Sequence, residues 1–284
     1  MTVKDDLGKR MKEYYEQVPK TRLVRRMPVI IRIDGKAFHT FTRGFKRPFD
    51  ELLIKTMQET TKYLCENIQG CVLGYTQSDE ITLVLVDYKK LTSSSWFDYE
   101  VQKMCSVAAS MATMAFNGLF RGMVREYAYN NGENYYRDSD EYKLLEIYNK
   151  QLDRAMFDAR CFNVPKEEVT NCIYWRQLDC SRNSVQMVGQ ANFSHKELQN
   201  KSCNDIQDML MTKGINWNDY PTYQKRGTCV VRNKIIVESN RITETCQLRD
   251  VSRSESEWII DKDIPIFKGD NREYVDKLIY IGEE

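Results

Sequence analysis

The sequence predicts an α+β fold, an antiparallel sheet covered by helices with an appended, mostly helical C-terminal part. Three apolar runs of strand length, at 29–33, 71–75 and 81–86, are interleaved with stretches of helical periodicity. The second and third runs are joined only by Thr76-Gln77-Ser78-Asp79-Glu80, too short for a parallel crossover, so they form an antiparallel hairpin. A chain of 284 residues, 42% hydrophobic and 29% charged, can bury a sizeable core and is neither disordered nor fibrous.

The elements follow in order. Leu7, Met11 and Tyr14 or Tyr15 fall at helical spacing and predict an amphipathic helix over 5–17. Pro28 opens a β-branched strand to Ile33, and Asp34-Gly35 ends it, because glycine permits a turn and the close approach of a ligand. After a loop rich in aromatic and basic residues, Pro48-Phe49-Asp50 starts a helix with a core stripe of Leu53, Met57, Leu64 and Ile68, closed by Gly70. The hairpin comes next, then a helix from about 96 to 120 whose small-residue face includes Ala108, Ala112 and Ala115. Strand, helix and hairpin, with acids at the first strand's end and in the hairpin turn, is the layout of a polymerase or cyclase palm. Residues 1–120 are therefore the first part of a catalytic core.

Between residues 121 and 155 the composition shifts to tyrosine, asparagine and charge, which predicts an insertion or lid. Residues 156–162 read as a further strand, and Pro165 starts a helix through Val169, Cys172, Ile173 and Leu178. Ser194-His195-Lys196-Glu197 matches a capping box, a second cap lies near Asp205, and Gly214 ends the helix that follows. Residues 229–237 form a late hairpin, and the acidic, serine-rich stretch 238–256 reads as a loop before Trp258. The segment 156–284 is expected to pack with the palm as one unit.

Composition narrows the chemistry. Nine cysteines, an odd number with no CxxC pair, argue against zinc and against a disulfide framework, and they fit a cytoplasmic protein. Only His39 and His195 supply imidazole, so a histidine-rich metal site or a Ser/His/Asp triad has little raw material. No apolar run is long enough to span a membrane, and the N-terminus lacks a hydrophobic signal core. A net charge of +1 does not decide for or against a nucleic-acid partner. Its distribution says more, because from Lys20 through Arg32 there is no acid, and Lys36, Arg43, Lys46 and Arg47 continue the bias. Such a stretch suits a polyanionic substrate, although a solvated charged face has the same composition.

Asp34-Gly35 alone is an ordinary turn. A second acidic turn at Asp79-Glu80, brought beside it if the two strands are neighbours, makes a carboxylate pair that would repel unless a cation or proton intervened. Asp34, Asp79 and the Gly35 carbonyl are thus candidate magnesium ligands, and two such ions would suit phosphoryl transfer. Lys36 and the loop amides from Ala37 through Phe38 to His39 lie where a triphosphate would extend, with His39 as apt to cap the loop as to touch nucleotide. Lys46, Arg47 and Lys103 are candidate phosphate clamps.

Arg32-Ile33-Asp34-Gly35-Lys36-Ala37-Phe38-His39, Phe45-Lys46-Arg47-Pro48, Gly74-Tyr75-Thr76-Gln77-Ser78-Asp79-Glu80 and Trp175-Arg176-Gln177 together resemble the tRNA(His) guanylyltransferase family in order, spacing and flanking residues. That resemblance implies a palm-type enzyme that extends RNA in the 3′-to-5′ direction, and a homotetramer. An RNA 5′ monophosphate is activated with a nucleoside triphosphate, usually ATP. The 3′ hydroxyl of the incoming nucleotide, GTP in the guanylyl reaction, then attacks the activated end. By the same resemblance Asp34, the Gly35 carbonyl and Asp79 bind magnesium and Glu80 supports them as a catalytic residue, while residues 34–39, Arg47, Ser78, Asp79 and Lys103 hold nucleotide. Glu100 replaces a family arginine one helical turn before Lys103. After Cys180 the family motif His-Ile-Asn-Asn-Leu-Tyr-Asn is replaced by Ser181-Arg182-Asn183-Ser184-Val185-Gln186-Met187, which keeps only Asn183. This departure resembles the repair branch, which adds templated nucleotides to 5′-truncated tRNA, with G addition at position −1 of tRNA(His) as the other reading. A nucleotide cyclase would need no RNA, and a non-catalytic RNA-binding protein would use Tyr127, Tyr129, Tyr135 and Tyr136 for stacking, unless these only pack the insertion.

Overall fold

A computed structural model describes residues 6–131, 139–242 and 248–281 of the chain. Six strands form one antiparallel sheet: β1 (Val29–Gly35), β2 (Cys71–Gln77), β3 (Glu80–Leu85), β4 (Phe157–Asn163), β5 (Thr228–Ile242) and β6 (Leu248–Asp261), in the spatial order β4-β1-β3-β2-β5-β6. The helix α3 (Glu51–Asn67) between β1 and β2 leaves a place for β3 between them, so hairpin turn and first-strand end meet at the same edge. Asp34 of β1 is directly opposite Glu80 of β3 and Asp158 of β4.

Both faces of the sheet are covered. Alternation sends Ile31, Ile33, Ile81 and Leu83 into one cluster with Met57 and Leu64 of α3 and with Met104, Ala108, Ala112 and Phe116 of α4 (Val101–Asn130). Ile30, Leu73, Tyr75 and Val84 face the other way, against Val169 and Ile173 of α6 (Lys166–Asn192) and Val275 and Ile279 of α10 (Glu273–Ile279). The buried face of α4 alternates Ala108, Ala112 and Ala115 with the bulkier Met104, Phe116 and Phe120. The second half of α6 continues past the sheet and joins α8 (Cys203–Thr212) through Val185, Val188, Ile206 and Leu210.

Several sequence expectations change. The helix predicted over 96–120 starts later and runs longer: Phe97, Asp98 and Tyr99 have positive φ and break the chain before Val101, and the helix continues to Asn130. The described part of the 121–155 segment is therefore the end of α4 and the helix α5 (Asp140–Gln151), whose Leu144 and Tyr148 are buried against the core. Local composition was misleading there because tertiary burial of Phe120, Val124 and Tyr148 carries the helices. The described part of the loop expected over 238–256, residues 238–242 and 248–256, is strand, since β5 and β6 stay paired from Cys229↔Asp261 to Ile242↔Leu248. The hairpin loop is two residues, Ser78 and Asp79, not five. Ser202 caps α8 and Asp205 completes its capping box. At the N-terminus α1 (Asp6–Met11) passes into one π turn, and Leu7, Met11, Tyr14 and Tyr15 are all exposed. The eight described cysteines are free, and Cys246 lies outside the described residues. Among the described residues no helix is long and apolar enough to cross a membrane.

Candidate active site

The acids meet because of strand register. Gly35 donates its N–H to the Asp79 carbonyl at 3.1 Å, which ties the end of β1 to the β2–β3 turn. Ser78 takes a left-handed φ of 50° in that turn, and its hydroxyl donates to Asp79 Oδ1 at 3.0 Å. Burial pushes the Asp34 carboxyl above its ordinary range, the negative charges of Glu80 and Asp158 add to the rise, and Arg160 and Arg32 oppose it. Asp79 is raised in the same way, first by burial and then by Asp34 and Glu80, against the lowering effect of the Ser78 hydroxyl and its own backbone.

Arginines surround this pair without neutralising it. Glu80 is buried, its Oε1 accepts from Arg176 Nε at 2.6 Å, and its Oε2 accepts from Arg32 Nη2 at 2.8 Å. Arg160 pairs with Asp158 at 3.0 Å. Both Arg32 and Arg176 stack on Trp175, at 5.2 and 4.4 Å. Glu80 thus has both oxygens committed to cations, so it positions the site and is not a free metal ligand. Gln177 donates to the Pro265 carbonyl at 2.8 Å and accepts from Phe267 N–H at 3.1 Å, locking α6 to the C-terminal segment.

A cavity of about 560 Å³ opens beside the acids. Gly35, Ser78 and Asp79 form its acidic end, Ala37, Phe38 and His39 line it, Arg43, Lys46 and Arg47 supply cations, and Met187 and Gln190 of α6 close the opposite side. Ala37 has a left-handed φ of 55° and starts the one-turn helix α2 (Phe38–Phe41), whose first amides have no intrahelical partner. Gly35 is required for packing as well as approach, because a Cβ there would lie 2.3 Å from the Phe38 ring. Asp50 fixes the basic loop: it caps α3 through Leu53 N–H at 3.0 Å and accepts from Lys46 N–H at 3.0 Å and the Tyr148 hydroxyl at 2.7 Å.

Of the residues singled out from sequence, Asp34 adjoins the cavity wall at Gly35 without lining it, and Lys36 and Lys103 are not in the wall. The Lys103 ammonium sits 4.7 Å over the Phe97 ring. Tyr127 packs edge-on against Tyr148, Tyr129 is exposed, and Tyr135 and Tyr136 lie outside the described residues. Sequence reading did not place Asp158, Asp50, Met187 or Gln190 at the site, although Asp50 was legible as a helix start and Met187 as part of the departing motif. The alternation Phe157-Asp158-Ala159-Arg160 carried a signal for the first, placing both charges on one strand face. The others needed the path of α6 and α5.

The acids fit a hard divalent cation. Among the described residues neither Asp34 nor Asp79 has an ion-pair partner, and burial, reinforced by neighbouring carboxylates, raises the pKa of both. There is no group of three or more His, Cys, Asp or Glu side chains arranged as a metal site among those residues. Asp34, Asp79 and the Gly35 carbonyl, if they held such an ion, would leave the remaining positions to water and substrate phosphate, as magnesium sites commonly do.

Comparison with known proteins agrees with this geometry. The family model described as Thg1, tRNAHis guanylyltransferase, matches residues 8–165. A bacterial tRNA(His) guanylyltransferase (Thg1)-like protein in complex with ATP is similar, with a TM-score of 0.76 and 42% identity over 97% of this chain and 100% of that one. The corresponding complex with GTP has a TM-score of 0.70 and 40% identity over the same shares. The tRNA(His) guanylyltransferase of Saccharomyces cerevisiae is 26% identical over 235 residues, 78% of this chain and 89% of its own. A palm sheet with paired acids at its strand ends, beside a cavity that carries Arg43, Lys46 and Arg47, in a chain matched over more than half its length by that family model, places this chain in the Thg1 tRNA(His) guanylyltransferase family of nucleotidyltransferases.

Proposed function

We propose that the chain adds nucleotides in the 3′-to-5′ direction to the 5′ end of tRNA, in templated repair of truncated ends, after activation by ATP. The observation that carries the catalytic part is the continuous cavity joining Gly35, Ser78 and Asp79 to Arg43, Lys46 and Arg47. A triphosphate bound in this cavity would have its charge shared between the cations and a metal held by the acids. In this reading Asp34, Asp79 and the Gly35 carbonyl would hold magnesium, which when bound supplies Lewis-acid stabilisation of the phosphoryl transfer. Arg47 and Lys46 orient the triphosphate, and the amides of Phe38 and His39 donate to its oxygens. Glu80 keeps the β3 end in register through Arg32 and Arg176, so Asp79 cannot drift from Asp34.

The repair reading is favoured by the wall of the site. Met187 borders the acid-bearing cavity, and Ser184 and Met187, beside the retained Asn183, border a smaller recess against Ser78. These belong to the stretch that departs from the family's tRNA(His)-linked motif. The relatives solved with ATP and with GTP support nucleoside triphosphates as substrates of this protein too.

The test is purified protein with magnesium, labelled triphosphates and a tRNA lacking its 5′ nucleotide. Base-pair-dependent 5′ extension is expected, and Asp79→Ala should abolish it while the fold and RNA binding persist. Extension only on tRNA(His), independent of template, would replace repair by G addition. Full turnover in Asp79→Ala would refute the metal assignment.

A further inference from the structure

A second basic recess lies at the other end of the β2–β3 hairpin. It has a volume of about 490 Å³ and is lined by Lys89, Lys90, Arg232 and Lys277, with Gly70, Cys71 and Val86 from the base of the hairpin. The seven residues of β2 separate it from the acids by ~20 Å, beyond the reach of a triphosphate held there. Four cations from three separate parts of the chain converge on it, and no Asp or Glu is in its wall. Among the described residues none of the four is in an ion pair. Arg232 is steadied instead over the Trp258 ring at 4.9 Å, and Lys277 over Tyr274 at 5.3 Å. Asp87, close to Lys89 in sequence, is buried and already engaged by Arg25 and by Arg26 N–H.

Hydroxyls add further polar groups, while Val72, Leu278 and Ile281 form, with Val86, the apolar part of the wall. Thr92, Ser93 and Ser94 line it, and their loop is held by Gln69, which donates to Ser94 O and Oγ at 3.0 and 2.7 Å, and by Lys90 N–H donating to Ser93 Oγ at 3.0 Å. No aromatic side chain lines the recess, so it offers nothing for a base to stack on. Cations and hydroxyls without aromatics suit phosphate oxygens. In a chain of net charge +1 this concentration of unpaired positive charge is local. We propose that the recess is a second phosphate-binding site that takes the sugar-phosphate backbone of the RNA substrate away from its reacting end. The proposal rests on the reading of RNA as substrate given above.

The test measures binding of a 5′-truncated tRNA transcript to the full chain, without triphosphates, across a salt series. Lys89→Ala/Lys90→Ala/Lys277→Ala should weaken binding about tenfold or more and lower the log–log salt slope by about one for each phosphate no longer neutralised. Changing the same lysines to arginine should restore both, and the KM for ATP at saturating RNA should not move. All three side chains are exposed, so the melting temperature should be kept. Unchanged RNA affinity and slope in the alanine variant would overturn the site while leaving the substrate reading intact. A raised KM for ATP with unchanged RNA binding would overturn it in favour of a free nucleotide. So would an equal loss in the charge-matched control Lys9→Ala/Lys143→Ala/Lys150→Ala, which would show a general charge effect. Wild-type protein that binds no RNA would sink the substrate reading and this site together.

Discussion

Replacing Arg176 by methionine tests whether the buried ion pair holds the active-site acids in place. Arg176 and Glu80 side chains are each 7% exposed, and their 2.6 Å contact is supplemented by Arg176 Nη2 to Asp179 at 2.7 Å. Removing the guanidinium leaves Glu80 buried with Arg32 alone, on a row that already carries Asp34 and Asp158. Breaking a buried pair from one side costs about 3–5 kcal/mol, which for a protein of this size lowers the melting temperature by roughly 6–20 °C. Methionine keeps most of the packing on Trp175, so the loss reports charge rather than volume. Adding Glu80→Gln removes the stranded charge, and the double variant should recover about 1–3 kcal/mol relative to the sum of the singles. The assay is denaturant unfolding of all four proteins in a double-mutant cycle, with nucleotide addition measured in parallel. In Arg176→Met at permissive temperature kcat should fall more than KM for the triphosphate changes, since Asp79 is displaced and the basic loop is not. A coupling within about 0.5 kcal/mol of zero would refute the argument that Glu80 and Arg176 act as one unit.

Three further outcomes follow from the same geometry. Arg47→Ala, in the cavity wall, should raise the KM for triphosphate about tenfold, whereas Lys103→Ala, outside that wall, should change it less; the reverse order in steady-state kinetics would return Lys103 to the site. Asp34→Asn should stabilise the metal-free protein at pH 7 by about 0.2–1 kcal/mol, the scale of a cross-strand like-charge pair. Because the folded-state pKa of Asp34 is raised, the wild type loses stability as pH rises from the ordinary aspartate value through the folded one, so the gain should vanish near pH ~3. Equal melting curves for the two proteins across that range would contradict it, and magnesium should stabilise only the wild type. Gly35→Ala should cost about 1–3 kcal/mol and most of the activity, as the new methyl displaces the Phe38 ring from the cavity floor. Retained thermal stability and turnover would show that the ring moves freely.

The chain's local chemistry was largely legible. The β-branched run after Pro28, the two-residue register of the hairpin strands and the caps at Asp50 and Ser194 are short-range signals, written in neighbouring residues. The paired acids were visible too, since a strand end and a tight turn are both local. Less legible were the elements that tertiary burial decides. Residues 122–130 and 140–151 are helical because Val124 and Tyr148 have a core to enter, and the polar residues 239–242 are strand because β6 supplies backbone partners.

Sequence by itself determined the fold class, the presence of Asp34 at a strand end and Asp79 in a tight turn, the basic run that leads into them and the resemblance to a nucleotidyltransferase family. Only the tertiary structure decided what those residues face. It set Asp158 across from Asp34, committed Glu80 to Arg32 and Arg176, brought Met187 and Gln190 of α6 over the cavity, and left Lys103 outside its wall. The physical reason is range. Period and turn chemistry act over a few residues, whereas the field at a carboxylate and the wall of a cavity are sums over side chains more than a hundred residues apart in the chain.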